Sequence, residues 1–320
     1  MSKVALPEIK VATRGGKAAR YVDPINVGDV EDDERPDWIG SVAFIGVHLA
    51  CLMAFWTGAS WAAIGMFVFT YVLRMFGITG AFHRYFSHRT YKTSRWFQFL
   101  LGWVGTSAAQ QGPLWWAAHH RHHHRHSDDE EDIHSPIQRG FYWSHVGWVI
   151  CKKYEKTNVK AIPDFAKFPE LRFLNNFHII PPIVLALSVY GFGWLCARYA
   201  PGLHTNGMQM LVWGFFVSTT LLYHCTFSIN SVAHVFGKRR FNTTDHSRNN
   251  FWLAVMTLGE GWHNNHHRCP YSEKQGMYWW EVDVSHYILK CLAAVGLVWD
   301  IQTHPDHLYE EAKTGGPAAA

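Results

Sequence analysis

Residues 259–267 read Gly259-Glu260-Gly261-Trp262-His263-Asn264-Asn265-His266-His267. Inside them stands His-x-x-His-His. On a helix, positions i, i+3 and i+4 share a face, so the spacing predicts a helix that points three imidazoles into one small volume. Such a volume suits a transition metal that accepts nitrogen ligands. The spacing returns as His120-x-x-His123-His124, and a further pair, His83 and His88, lies upstream. Eight histidines in three clusters exceed what one four-coordinate structural zinc takes. They predict two metals held close together. A merely His-rich tract accounts for 119–126 alone, but not for a matching cluster about 140 residues later.

Outward from these clusters the chain turns apolar. Runs at 38–56, 61–79, 178–198 and 208–228 each approach the ~20 residues that cross a bilayer. The links Thr57-Gly58-Ala59-Ser60 and 199–207 are short. The runs pair into two hairpins, because none shows the polar face of a soluble amphipathic helix. Residues 96–111, ending at Gly112-Pro113, read as a short helix at the interface. Asp128 to Asp132 ends the His-dense helix, and 284–299 reads as an amphipathic helix. Arg74 interrupts the second run and is expected to snorkel toward the cytosolic end. The chain divides into a polar, mobile arm (1–37), a membrane domain (38–300) and a C-terminal tail (301–320) expected to fray after 306. The expected fold is all-α: four transmembrane helices in two hairpins under a cytosolic helical cap that carries a His-rich di-metal site.

Charge orients this arrangement. The segment 81–177 holds 13 Lys and Arg, whereas the two hairpin tips hold at most Arg198. By the positive-inside rule the loop and both termini are cytoplasmic, and every His cluster falls on that side. No basic start followed by a short apolar core marks a cleaved signal. The net charge of +4, without basic runs interleaved with aromatics, points away from nucleic acid. Six scattered Cys with no C-x-x-C read as reduced thiols.

Neutral imidazole is a good ligand for iron, and an oxygen-activating di-iron site facing a membrane can attack an unactivated C–H bond. Paired zincs for hydrolysis usually recruit carboxylates, and only Glu260 lies inside a cluster.

The residues that carry a family resemblance are His83-Arg-Tyr-Phe-Ser-His88-Arg-Thr-Tyr-Lys, His120-Arg-His-His123-His124, Gly140-Phe-Tyr-Trp-Ser-His-Val-Gly-Trp148, Asn230-Ser-Val-Ala-His234 and the stretch quoted first. Over roughly residues 38–300 the chain resembles the membrane-bound fatty acyl desaturases, within them the stearoyl-CoA (delta-9) type. The resemblance implies an oxidoreductase that uses dioxygen and two electrons to insert a cis double bond, at carbon nine, into a saturated acyl chain, with acyl-CoA as the expected carrier. It implies two iron ions held by His83, His88, His120, His123, His124, His234, His263, His266 and His267, with Asn230 holding a metal through water. His119-x-x-His122-His123 also fits the spacing of the second box. The register 120/123/124 is preferred because Trp116-Ala117 and Ser127 then align with the family.

Lys152 and Lys153 match basic positions that meet a phosphate-bearing head group. Ala118 and His119 depart from the charged residues that acyl-CoA members carry there. No haem motif is present, so the electrons are expected from a separate protein of the ferredoxin, rubredoxin or cytochrome b5 type. Tyr71 lies twelve residues before His83, roughly 18 Å at about 1.5 Å per residue, and Phe67 lies one turn deeper. Both read as the closed end of an acyl tunnel. Two rival readings are a hydroxylase of the same di-iron superfamily and a His-rich metal transporter. The transporter should place ligands within its spans, where only His48 and His224 stand, read as packed or lipid-boundary residues.

Overall fold

Polar caps decide where the apolar runs become helices. In the computed structural model, which describes residues 34–314, Ser60 accepts the Ala63 amide and starts α2 (Trp61–Ser87) behind α1 (Val42–Thr57). Ser94 caps α3 (Arg95–Thr106) in the same way, and Pro113 occupies the first turn of α4 (Pro113–His126). The second pair of apolar helices is α5 (Ile180–Tyr199) and α6 (Gly207–Val235). Asn206 starts α6 by accepting the Gln209 amide at 3.0 Å. Four short helices follow: α7 (Phe251–Met256), α8 (His263–Arg268), α9 (Val284–Ala294) and α10 (Asp306–Thr314). The described residues are mostly helical. The only sheet among them is two residues deep, β1 (Lys92–Thr93) antiparallel to β2 (Val298–Trp299).

Three helices, α2, α5 and α6, are long and apolar enough to cross a membrane; α1 is apolar but shorter. α5 leaves Leu187, Phe192 and Trp194 exposed, as does α1 with Phe55 and Trp56. Apolar faces of this kind suit a lipid surrounding. The core runs from α2 into α3 and α4. Gly77 and Gly105 permit it: a Cβ on Gly77 would lie 2.8 Å from the Gly105 nitrogen.

α2 is not uniform. It is α-helical to Phe76 and widens into π turns from Gly77 to Ser87, eight residues past the expected end of the second span. The His88 amide bonds the His83 carbonyl, an i→i+5 link of 3.2 Å. In an α-helix residues five apart diverge around the axis; the wider turn stacks them, and the two rings lie 4.9 Å apart.

Several expectations are corrected here. Arg74 does not snorkel. It is fully buried, with Nε donating to the Thr70 carbonyl at 3.1 Å, Nη1 to Thr219 Oγ1 at 2.6 Å and Nη2 to Ser218 Oγ. Adjacent hydroxyls on α6 satisfy the guanidinium sideways, so it has no need to reach water. Over 306–314 the tail is not frayed: α10 buries Leu308 against Phe241, Cys269 and Met277, and Glu311 pairs with Arg268; residues 315–320 lie outside those described. The helix expected over 284–299 stops at Ala294, and Val298–Trp299 turns back onto β1. Of the arm assigned to 1–37, residues 1–33 lie outside those described. Residue 34 onward is anchored: Glu34 pairs with Arg139 and Lys153, and the Asp37 amide bonds the Ile150 carbonyl.

Candidate metal centre

Each His-x-x-His-His box divides its imidazoles between two places. One ring nitrogen from each of His83, His88, His120, His124 and His266 lies within 4.8 Å of the others, and so does one from each of His123, His234, His263 and His267. In the second box His120 and His124 go to the first group and His123 to the other. In the third box His263 and His267 go to the second group and His266 to the first. At 3.6 residues per turn, i and i+4 lie about 40° apart while i+3 lies about 100° from i+4. One box therefore faces two volumes rather than the single volume its spacing predicts. The groups adjoin: the His266 and His267 ring centroids are 5.6 Å apart.

Within the groups the Nε2 atoms face inward. His83 and His266 approach to 3.0 Å, His88 and His120 to 2.9 Å, His124 and His266 to 3.0 Å, and His234 and His263 to 3.0 Å. His119 and His122 stand outside both groups. His119 bonds the Trp115 carbonyl and His122 the Glu131 carbonyl. Asn230 borders the cavity beside the groups.

Four carboxylates stand behind the rings, and of these the sequence marked only Glu260. Nδ1–H of His234 donates to Asp128 at 2.8 Å, of His123 to Asp132 at 3.1 Å, of His267 to Asp245 at 2.7 Å, and of His83 to Glu260. Such partners choose the tautomer and aim the opposite nitrogen. Asp128 and Asp132 lie in the acidic run read only as a helix terminator, and Asp245 lies in a loop. No spacing rule ties these acids to a histidine, so only the buried contact reveals them. Burial pushes the Asp132 and Asp245 carboxyls up, but the charge of His123 in one case and His267 in the other outweighs it and holds both below the usual range. Asp128 is held down at about 2 against its burial, by the His234 hydrogen bond and charge.

The donor set fits a pair of first-row transition ions. Burial, then mutual repulsion, holds His88, His120, His124, His263 and His266 well below the ordinary imidazole value, so they stand neutral and ready to ligate. His267 Nε2 is buried without a hydrogen-bond partner while its Nδ1 is engaged by Asp245. Neither group contains a thiolate.

Both groups border one cavity. Its walls are Met75, Ile78 and Thr79 of α2, Trp116 of α4, and Thr226, Ile229 and Asn230 of α6, with Thr257 and Glu260 completing the lining. Tyr71 and Phe67 do not line it. They stack on each other 6.2 Å apart, one and two turns beyond Met75, and the Tyr71 hydroxyl donates to the Met256 carbonyl at 2.6 Å. Lys152 is exposed, and Lys153 is engaged by Glu34 at 2.6 Å. His48 and His224 pack on each other at 3.1 Å, and His224 meets His145 at 3.0 Å.

Residues 59–300 match the family model described as fatty acid desaturase. Among curated proteins, an sn-1 stearoyl-lipid 9-desaturase of Anabaena variabilis is 37% identical over 269 residues, 83% of this chain and 94% of its own length. An sn-1 stearoyl-lipid 9-desaturase of Synechocystis is 35% identical, over 85% of this chain and 82% of its own. An acyl-CoA 5-desaturase of Anemone leveillei is 36% identical, over 80% and 77%.

Proposed function

We propose a substrate, a metal and an orientation for this chain from one premise: it belongs to the fatty acid desaturase family and is an acyl desaturase, an oxidoreductase of lipid metabolism. The proposed substrate is a saturated acyl chain esterified in a membrane lipid, desaturated at carbon nine. The observation that carries this reading is the cavity itself, where apolar walls from two candidate spans meet both imidazole groups. The names of the lipid-acting relatives support the carrier and the position. So does Lys153, whose ammonium is already paired with Glu34. Acyl-CoA is the second reading, favoured by exposed Lys152 and by the Anemone relative.

The proposed ligands are His83, His88, His120, His124 and His266 for one iron, and His123, His234, His263 and His267 for the other, with Asn230 reaching it through water. Bound iron would supply, with dioxygen and two electrons from a separate donor protein, the power to oxidise an unactivated methylene. Two hydrogens leave adjacent carbons, and with two protons and two electrons they reduce dioxygen to two waters.

The chain's own residues do the rest. Met75, Ile78 and Ile229 hold the acyl chain and exclude water. Asp128, Asp132, Asp245 and Glu260 keep a proton on Nδ1 of their histidines, so Nε2 is left as the ligand atom. The hairpins α1–α2 and α5–α6 span the bilayer as four segments, with the histidines and both termini cytoplasmic.

Membranes from cells producing the chain decide the carrier. They receive isotope-labelled stearoyl-CoA with acyl transfer blocked, or labelled stearoyl phospholipid, and products are read by gas chromatography with mass spectrometry. Label in a carbon-nine double bond from the phospholipid alone is expected; label from the thioester alone replaces this reading with the second. Orientation is read by cysteine labelling: a cysteine at Ala59 is expected to react from outside and one at Glu130 is not.

A further inference from the structure

Residues 257–263 separate two hollows. Thr257, Glu260 and His263 face the cavity beside the histidines; Asn250, Phe251 and Trp262 face a second, open pocket on the other side.

Main-chain pairing builds this second pocket. Lys238 and Asn249 exchange both backbone hydrogen bonds, at 2.9 and 2.7 Å. Gly237, at φ +138°, lies so close to the Asn249 carbonyl that a Cβ would collide. Three successive cations, Lys238, Arg239 and Arg240, line the wall. Arg240 is engaged by Glu281 and Asn265. Lys238 and Arg239 have no carboxylate partner among the described residues. Arg239 gives Nη2 to the Thr243 carbonyl at 2.7 Å, while its Nε is buried with no partner. A buried donor without an acceptor calls for one, and here it belongs to Arg239, whose charge and that of Lys238 beside it are both without a carboxylate.

The rim of the pocket is apolar and lies where a span ends. α6 finishes at Val235, and Val235 and Phe236 are exposed. α7 buries Leu253 and Ala254 and exposes Phe251, Trp252, Val255 and Met256. The Tyr71 hydroxyl pins the end of α7 to the span α2. Exposed tryptophan beside cations at the end of a span is how a chain seats in the headgroup layer. An acidic electron-donor protein would approach such cations through water, with no use for this apolar rim.

We propose that this pocket binds the phosphate of an anionic membrane phospholipid, held by Lys238 and Arg239 while the exposed face of α7 lies among the acyl chains. It rests on the acyl-lipid reading in this respect: the pocket would hold the headgroup of a lipid whose acyl chain enters the cavity across residues 257–263.

The test is native mass spectrometry of the full chain released from detergent micelles doped with phosphatidylglycerol or phosphatidylcholine. The variants are Lys238→Gln/Arg239→Gln and, as a control that removes the same two charges at exposed positions elsewhere, Lys156→Gln/Lys290→Gln. The wild type and the control should retain phosphatidylglycerol over phosphatidylcholine. The double variant should lose about tenfold or more of that retention, with its melting temperature unchanged. Unchanged retention in the double variant overturns the proposal. So does displacement of the lipid by inorganic phosphate at the same concentration, which makes the pocket a free-anion site. A third overturning result is normal lipid retention with a raised KM for the reduced donor protein, which makes it a docking site for that donor. If phosphatidylglycerol is retained but only stearoyl-CoA is desaturated, the pocket stands and the acyl-lipid reading falls.

Discussion

Asp245 accepts the Nδ1 hydrogen of His267 at 2.7 Å, and the opposite nitrogen of that ring is buried with no partner of its own. One hydrogen bond thus decides which face of the imidazole is available as a ligand. Carboxylates on His123, His234 and His83 repeat the arrangement. Outer partners of this kind typically contribute 10–100-fold in metal affinity or activity.

Asp245→Ala is therefore expected to lower iron content and turnover by about 10–100-fold, and Asp245→Asn to lower them less, because its amide oxygen still accepts from Nδ1. Iron per chain and product formation are measured together. Equal losses in the two variants would show that charge, not tautomer, is what Asp245 supplies.

Arg74 makes a second test. Its guanidinium is buried among the hydroxyls of Ser218 and Thr219 and the Thr70 carbonyl, with no acid beside it. Removing a buried charge and filling its space is often neutral, whereas stripping its partners leaves it unsatisfied. Arg74→Met should leave the melting temperature in detergent close to wild type. Ser218→Ala with Thr219→Val should destabilise by about 1–3 kcal/mol. The reverse order would assign Arg74 a role beyond packing.

Chain length is expected to respond first at Met75, which lines the cavity, and second at Tyr71, one turn beyond. Met75→Trp should shorten the accepted acyl chain. Tyr71→Ala should shift preference toward longer chains, with the double bond unmoved in both variants. Product profiles that keep wild-type lengths in both would remove α2 as the closed end of the cavity.

His304 sets a pH dependence. Burial, then the charge of Lys274, pushes its imidazole down to about 4, and neither ring nitrogen has a partner. Its unfolded value is about 6.5, so between the two the unfolded chain binds a proton that the folded chain refuses. Stability from this residue is therefore lost as pH falls below about 6.5, by roughly 1 kcal/mol at pH 5.5. His304→Leu should flatten the fall in melting temperature between pH 7.5 and 5.5. An identical slope in variant and wild type would count against it.

How much was legible in the chain follows from which signals are local. The two His-x-x-His-His boxes and the apolar runs are written as spacings of three, four and about twenty residues, which the helix repeat and the bilayer thickness turn directly into geometry; the full set of nine histidines and the desaturase character come from the family resemblance. The division of each box between two groups was not legible, because it depends on which neighbour each side of a helix faces. The π turns that align His83 with His88 were hidden as well, since i+5 spacing reads as divergent until the helix widens. Asp128, Asp132 and Asp245 reach their histidines across 106, 9 and 22 residues, distances over which one sequence carries no periodicity. Arg74 was misplaced for the same reason: the hydroxyls that satisfy it stand 144 and 145 residues away on another helix. The sequence determines which side chains can ligate and which segments are apolar enough to enter lipid. The tertiary structure decides which nitrogen each ring presents and to which group, because a hydrogen bond is set by atoms that meet in space rather than along the chain.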